Sequence, residues 1–383
     1  MKIARVVTVP EAFVHIRYLL KYLVISGCDV TLVSSPGEYG ETLKNENACR
    51  MYELNIAREI NLISDLISVF KLIFYFRKEK FDIVHSSTPK AGLLCAVAGI
   101  FVPHTVFIHT FTGQRWATLR GPLRALLKFL DKLVIRLNSK CYADSFSQIK
   151  FLEKENVAAI GQIECLHKGS YGGIDCERFD AARFPNAREA LCERLGLQQT
   201  DILLLFVGRL TKDKGVEDLV AAFIKANKFN SRIKLVLLGK FEPELDPLNQ
   251  ITVDLIHQHK DVFYEGFSSE PERYFSACDF LCLPSYREGF GTVIIEAASC
   301  GLPSIGTRIP GLEDAIVDGE TGLLVKLGEV DSLTESICRL AIDETLRKKM
   351  AQLAQDRAKR DYSTQLLSKL QVDEYIKLTG RQA

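Results

Sequence analysis

Apolar residues along this chain fall into short runs separated by longer stretches with helical spacing. The first series of runs lies at 3–9, 29–34, 82–85, 105–110 and 141–144, with helical patterns over 11–25, 62–78 and 122–138 among them. A second series follows at 202–207, 234–238, 262–264, 280–283, 303–306 and 323–325. The run Ile202-Leu203-Leu204-Leu205-Phe206-Val207 has no polar alternation, as a strand covered on both faces requires. Short apolar strands alternating with longer helices predict right-handed βαβ units and parallel sheets. Beyond Asp331 the pattern is helical to the end.

The glycine-rich stretch Gly169-Ser170-Tyr171-Gly172-Gly173 separates the two series. The expected organisation is therefore an N-terminal domain over 1–170, a C-terminal domain over 171–360, and a last helix, 361–383, returning to the first domain. The fold class is α/β, with two Rossmann-like doubly wound parallel-sheet domains and a cleft between them. The longest apolar stretch, 91–108, is broken by Pro103 and His104. It reads as helix, turn and strand, because a membrane span needs about 20 apolar residues in series. The first residues run straight into a strand without a small-residue cleavage signal, so no secretory leader is expected.

Composition adds limits. Of 383 residues, 47% are hydrophobic and 25% charged, an ordinary globular balance. A net charge of +1 gives nucleic acid no special attraction. Eleven cysteines without a Cys-x-x-Cys pair predict a reduced, cytoplasmic protein. Cys278 and Cys282 flank or sit inside an apolar strand, where packing explains them better than metal ligation.

Two motifs carry chemistry. Gly208-Arg209-Leu210-Thr211-Lys212-Asp213-Lys214-Gly215 follows the most apolar strand. Cations there, beside the start of a helix, suit phosphate oxygens. Read alone, the same residues fit a solvated turn. The second motif is Pro284-Ser285-Tyr286-Arg287-Glu288-Gly289-Phe290-Gly291-Thr292, with Glu296 about one turn into the next helix. Its loop leaves the carboxyl end of a strand, where open α/β sheets bind ligands. Glu288 and Glu296 are placed to read hydroxyls on either side of a phosphate, the layout of a nucleotide sugar. The flanking Val293, Ile294, Ile295 and Ala297 put Glu296 on a largely buried helix, where a carboxylate needs a partner. No Asp-x-Asp occurs, so the usual carboxylate clamp for a metal–nucleotide-sugar complex is missing. Neither a P-loop nor a Gly-x-Gly-x-x-Gly after the first strand is present.

Gly208-Arg209-x4-Lys214-Gly215, followed by Pro284-Ser285-x2-Glu288-Gly289-Phe290-x5-Glu296-Ala297, resembles the retaining glycosyltransferases of family 4, which have the GT-B fold. The likeness is specific over 200–330 and looser elsewhere. It is closest to bacterial enzymes that build surface polysaccharide or lipid-linked oligosaccharide. The resemblance implies that Arg209 and Lys214 bind the donor diphosphate and that Glu288 contacts the transferred sugar. It further implies that backbone N–H groups of Phe290, Gly291 and Thr292 face the phosphates, and that Glu296 holds the ribose. His109, at the end of a predicted strand, matches a family histidine near the reacting sugar; a buried structural histidine fits the same pattern. His85 is a weaker candidate. The expected donor is UDP-linked, with no separate cofactor or metal, and the expected acceptor is a polyprenyl-diphosphate-linked sugar.

Where many relatives carry paired glycines after the first strand, this chain has Thr8-Val9-Pro10-Glu11-Ala12-Phe13. That loop, with residues 111–115, is expected to shape the acceptor site. Residues 115–140 carry Arg115, Arg120, Arg124, Lys128, Lys132, Arg136 and Lys140 against one acid, Asp131. From Arg120 the cations recur every fourth residue, so the row winds round the helix, and only two or three neighbours share a face. Two readings fit it: a helix packed on the sheet with a solvated basic back, or one that meets an anionic membrane surface, with 62–78 and its Phe70, Phe74, Tyr75 and Phe76 adding apolar contact. The second implies a peripheral protein on the inner face of the cytoplasmic membrane. Two rival functions stay open at this stage, a nucleotide-sugar 2-epimerase and a non-catalytic sugar-nucleotide-binding subunit.

Overall fold

The computed structural model describes residues 1–57 and 61–381; of the expected final helix, 382–383 lie outside them. The chain divides into two units, Met1–Gly173 with Thr364–Ala383, and Ile174–Ser363.

The first unit is built on seven strands: Lys2–Val6 (β1), Asp29–Ser34 (β2), Arg50–Glu53 (β3), Ile83–Ser86 (β4), Val106–Phe111 (β5), Lys140–Ala143 (β6) and Glu164–Cys165 (β7). All pair in parallel, in the order β3-β2-β1-β4-β5-β6-β7. Each face of the sheet is covered. On one side Leu19, Leu20 and Leu23 of the helix Arg17–Ile25 pack with Val372 and Tyr375 of the C-terminal helix Thr364–Thr379. On the other, Leu72, Phe76 and Leu94 pack against Ala4 and Val84.

The second unit has six strands: Ile202–Val207 (β8), Ile233–Leu238 (β9), Val262–Gly266 (β10), Phe280–Leu283 (β11), Ser304–Thr307 (β12) and Gly322–Val325 (β13). They are also parallel, in the order β10-β9-β8-β11-β12-β13. β8 and β11 are almost wholly buried, as their unbroken apolar sequences require. In each sheet the strand order reverses once, at β1/β4 and at β8/β11. Those are the switch points where neighbouring connections leave in opposite directions and open a crevice at the carboxyl edge.

The two-sheet α/β expectation holds, with local differences. β1 stops at Val6, and the expected helix over 11–25 is two pieces, a 3-10 helix Pro10–Ile16 and the helix Arg17–Ile25. Pro10, Phe13 and Ile16 are its buried residues, and a spacing of three stacks on one side of a 3-10 helix. The strands that went unpredicted, β3 and β7, are sheet edges with the sequences RMYE and EC, too short and polar to show as apolar runs. No helix among the described residues is long and apolar enough to cross a membrane.

Candidate functional site

The two motifs meet at the switch point of the second sheet. The loop 208–215 leaves β8, the loop 284–291 leaves β11, and these strands are neighbours. Gly215 starts the helix Val216–Phe229 with φ +69°. A Cβ there would lie 2.0 Å from the Pro284 carbonyl oxygen, so only glycine allows the loops to touch. Above that contact the Tyr286 N–H donates to the Asp213 carbonyl (2.8 Å), and Arg287 Nη2 donates to Asp213 Oδ2 (3.1 Å). Burial pushes the Asp213 carboxyl up, but the Thr211 hydroxyl, Lys214, Arg209 and Arg287 outweigh it and hold it below the usual range.

Lys214 Nζ donates to Glu288 Oε1 at 2.6 Å, and the buried Ser285 hydroxyl donates to the same oxygen at 2.8 Å. The Lys214 and Glu288 side chains are only 18% and 12% exposed. Thus the expected phosphate-binding cation and the expected sugar-reading carboxylate are in contact. Ser285 has no role in the sequence reading, yet it fixes Glu288; the signal was present in the spacing Pro-Ser-x-x-Glu.

Arg209 sits at the mouth of the same crevice, with its side chain 44% exposed. Its Nη1 donates to Glu242 Oε2 at 2.7 Å, and Nη2 lies 3.6 Å from Asp213 Oδ2. Asp246, from the segment that also carries Glu242, accepts from the Asp213 N–H at 2.7 Å. These two carboxylates come from the loop after β9, about thirty residues on. Nothing local in the sequence announces them.

Gly291, at φ +85°, caps the helix Thr292–Ser299, and no side chain caps that end. A helix start without a side-chain cap suits an anion, because its first N–H groups lack intrahelical acceptors. Phe290 itself is a core residue, its ring 5.2 Å from that of Tyr362, so its side chain is not available to a ligand. Thr292 and Glu296 are half-buried on this helix. Among the described residues no group of three or more His, Cys, Asp or Glu is placed to hold a metal ion.

In the first unit His109 lies inside β5, 1% exposed. Its Nδ1 is 2.9 Å from the Ser86 hydroxyl, and its ring stands edge-on to Phe111. A Cβ on Gly92 would come within 2.5 Å of His109 Cε1, so the helix Pro89–Gly99 closes over the ring. Burial pushes the imidazole down to about 3. It stays neutral at physiological pH, and a neutral ring retains one donor. His85 is equally buried, bonded to the Tyr375 hydroxyl at 2.6 Å and the Thr110 hydroxyl at 2.8 Å. It ties the C-terminal helix to the sheet.

The loop expected to shape the acceptor site is mostly interior. Phe13 is in the core, and Thr8 is buried with its N–H and hydroxyl on Thr88 Oγ1 at 2.9 and 2.8 Å. Of its side chains Glu11 is exposed. The basic row over 115–140 is also thinned. Arg124 and Lys128 both pair with Glu155 (2.6 and 2.8 Å) and lie over the Trp116 ring, while Lys140 pairs with Glu164. Asp131 is buried and accepts from Trp116 Nε1 at 2.7 Å; burial raises its carboxyl to about 6. Arg115, Arg120, Lys132 and Arg136 remain exposed.

Known proteins match both units. The model of "Glycosyltransferase Family 4" matches residues 12–167, and that of "Glycosyl transferases group 1" matches 187–357. The chain is 31% identical over 366 residues to the capsular polysaccharide biosynthesis glycosyltransferase CapM of Staphylococcus aureus, covering 96% of this chain and 94% of CapM. It is 26% identical to an Escherichia coli UDP-Gal:alpha-D-GlcNAc-diphosphoundecaprenol alpha-1,3-galactosyltransferase, covering 76% of this chain and 74% of that enzyme. Among solved structures, HepE of Anabaena in complex with UDP and glucose superposes with a TM-score of 0.80 at 18% identity, covering 99% and 100% of the two chains. Sucrose-phosphate synthase of Thermosynechococcus elongatus gives 0.81 at 20% identity, with 99% of each chain covered. At such identities the structural likeness establishes the fold.

Proposed function

This chain belongs to the glycosyltransferases of family 4 and group 1, and on that premise we propose that it moves a hexose or N-acetylhexosamine from UDP to a hydroxyl of a polyprenyl-diphosphate-linked glycan in polysaccharide biosynthesis. One observation carries the donor half of this reading: the 2.6 Å contact of Lys214 with Glu288 at the β8/β11 switch point, beside the start of the helix Thr292–Ser299. A cation and an open helix start serve a diphosphate, and the adjoining carboxylate accepts from sugar hydroxyls. The acceptor half draws on what CapM and the E. coli galactosyltransferase are named for.

In the proposed reaction the bond from the sugar C1 to the β-phosphate oxygen breaks, and a bond from C1 to the acceptor oxygen forms. Configuration at C1 is retained, as the family implies. The acceptor proton passes to the departing phosphate oxygen. Lys214, Arg209 and the N–H groups of Phe290, Gly291 and Thr292 stabilise the charge that builds on that diphosphate. Glu288 orients the sugar, and Glu296 addresses the ribose. No metal is assigned a step.

A panel of nucleotide sugars, followed for binding and slow hydrolysis, tests the donor assignment without the acceptor. Binding of UDP-hexoses over ADP- and GDP-sugars is expected; equal or absent binding across the panel would sink it. Donor incubated alone should yield no epimer, whereas a 2-epimerase would produce one. Anomeric coupling in the transferred product reads out retention.

A further inference from the structure

The helix Leu62–Glu79 is apolar on two sides, yet one of them is uncovered. Leu62, Ile63, Leu66, Ile67, Phe70 and Phe74 are all exposed, Leu62 to 80% and Phe74 to 71%. At about 100° per residue they span an arc of about 140°. The opposite side, with Leu72 and Phe76, packs on the sheet. A helix apolar on both sides is ordinarily buried on both, and a contiguous exposed apolar stripe marks an interaction site.

The surroundings give the stripe its partner. The crossovers β3 to β4, β4 to β5 and β5 to β6 lay the helices Leu62–Glu79, Pro89–Gly99 and Gly121–Leu137 side by side on one face of the first sheet. Gly121–Leu137 adds exposed Leu123, Leu126 and Phe129. Exposed cations border these side chains: Lys71 and Lys78 on the first helix, Arg120, Lys132 and Arg136 at the third. The acids of the two flanking helices are spent or hidden. Asp65 pairs with Lys90, Glu79 with Lys2 and Arg50, and Asp131 is buried. The outer surface is thus apolar with a cationic border, complementary to a bilayer that offers acyl chains beneath anionic headgroups. Both flanking helices begin at the carboxyl edge of the sheet, where this architecture receives ligands, and most of the exposed apolar residues lie in their first halves.

We propose that this face seats the protein on an anionic lipid bilayer. The stripe of Leu62–Glu79 enters the boundary between headgroups and acyl chains, and the lysines and arginines meet the headgroup phosphates. The inference deepens the lipid-linked acceptor reading, and rests on it only for why docking serves the reaction. It also moves the principal contact from the basic row over 115–140 to the apolar helix before it.

Flotation of the full chain with phosphatidylcholine vesicles, with and without phosphatidylglycerol, tests it. The expected result is binding to the anionic vesicles that falls by at least about tenfold in Leu66→Glu/Phe70→Glu and weakens, with loss of salt sensitivity, in Lys71→Glu/Lys78→Glu. Both pairs are exposed, so folding should survive; an unchanged thermal melt checks this. Equal flotation of the apolar variant, or none of the wild type, overturns the proposal. So does a dimer that Leu66→Glu/Phe70→Glu splits into monomers without any vesicle binding, because a second copy is then the occupant. A water-soluble, short-chain diphosphate-linked acceptor separates the two readings. Variants that use it at the wild-type rate but fail on acceptor held in vesicles support docking. If wild type uses no lipid-linked acceptor while flotation still depends on the stripe, the acceptor reading falls and docking stands.

Discussion

Glu288 is gripped by Lys214 and by Ser285 through a single oxygen, leaving its other oxygen outside these two bonds. The arrangement holds the carboxylate in one orientation while keeping Lys214 beside it. On the proposed function, a donor entering the crevice therefore meets a positioned acceptor of hydroxyl hydrogen bonds and a cation with little freedom left to lose. Glu288→Ala and Lys214→Ala are each expected to lower turnover by at least about tenfold, an effect of about 1.4 kcal/mol or more on the barrier. Steady-state rates with near-wild-type melting curves check it, and full activity in both variants would refute the site. Both residues were legible from the spacing of their motifs. Ser285 stood in the same motif, but its bond to Glu288 depends on how the loop turns back. His109 was legible as a position, whereas its burial under Gly92 is a property of packing that no spacing reports.

Among the elements, the loop after β9 changes most about the proposed donor site. It delivers Glu242 to Arg209 and Asp246 to the backbone of the β8 loop. On the proposed donor assignment, a diphosphate competes with Glu242 for the guanidinium. The pair is partly exposed, and such pairs contribute about 0.2–1 kcal/mol. Glu242→Gln should accordingly tighten UDP binding by up to about fivefold, since 1 kcal/mol is about that factor. Titration calorimetry with UDP reads it; weaker binding would mean that Glu242 positions Arg209 rather than occupying it. Buried strands were readable because a strand covered on both faces must be apolar throughout. Edge strands β3 and β7 carry no such demand and left no trace.

Across the whole molecule, the chain passes from the first unit to the second at residue 173 and returns at 364. The last helix then completes the unit where the chain began. Its Tyr375 hydroxyl sits 2.6 Å from His85 Nδ1 and accepts from Arg5 Nη1 at 2.7 Å, all within the core. Arg5 also donates to the Tyr171 hydroxyl, and burial pulls its guanidinium below the usual range. Tyr375→Phe strands polar groups of both partners. It should cost about 1–3 kcal/mol, or roughly 2–4 °C in Tm for each kcal/mol in a unit of this size. Differential scanning calorimetry checks it, and an unchanged Tm would show that the cluster repacks without the hydroxyl.

The sequence by itself determined the α/β class, the two-part division, the Arg-x4-Lys and glutamate motifs, and the family they belong to. These are local signals: apolar periodicity follows backbone geometry, and a ligand-binding loop needs particular residues at adjacent positions. Tertiary structure alone decided that the loops after β8 and β11 touch, because strand order depends on which crossovers pack rather than on chain order. It decided that Glu242 arrives beside Arg209, that His109 is sealed from water, and that the second apolar side of Leu62–Glu79 faces outward. Each of these turns on what lies against a side chain, and neighbours distant in the chain supply that.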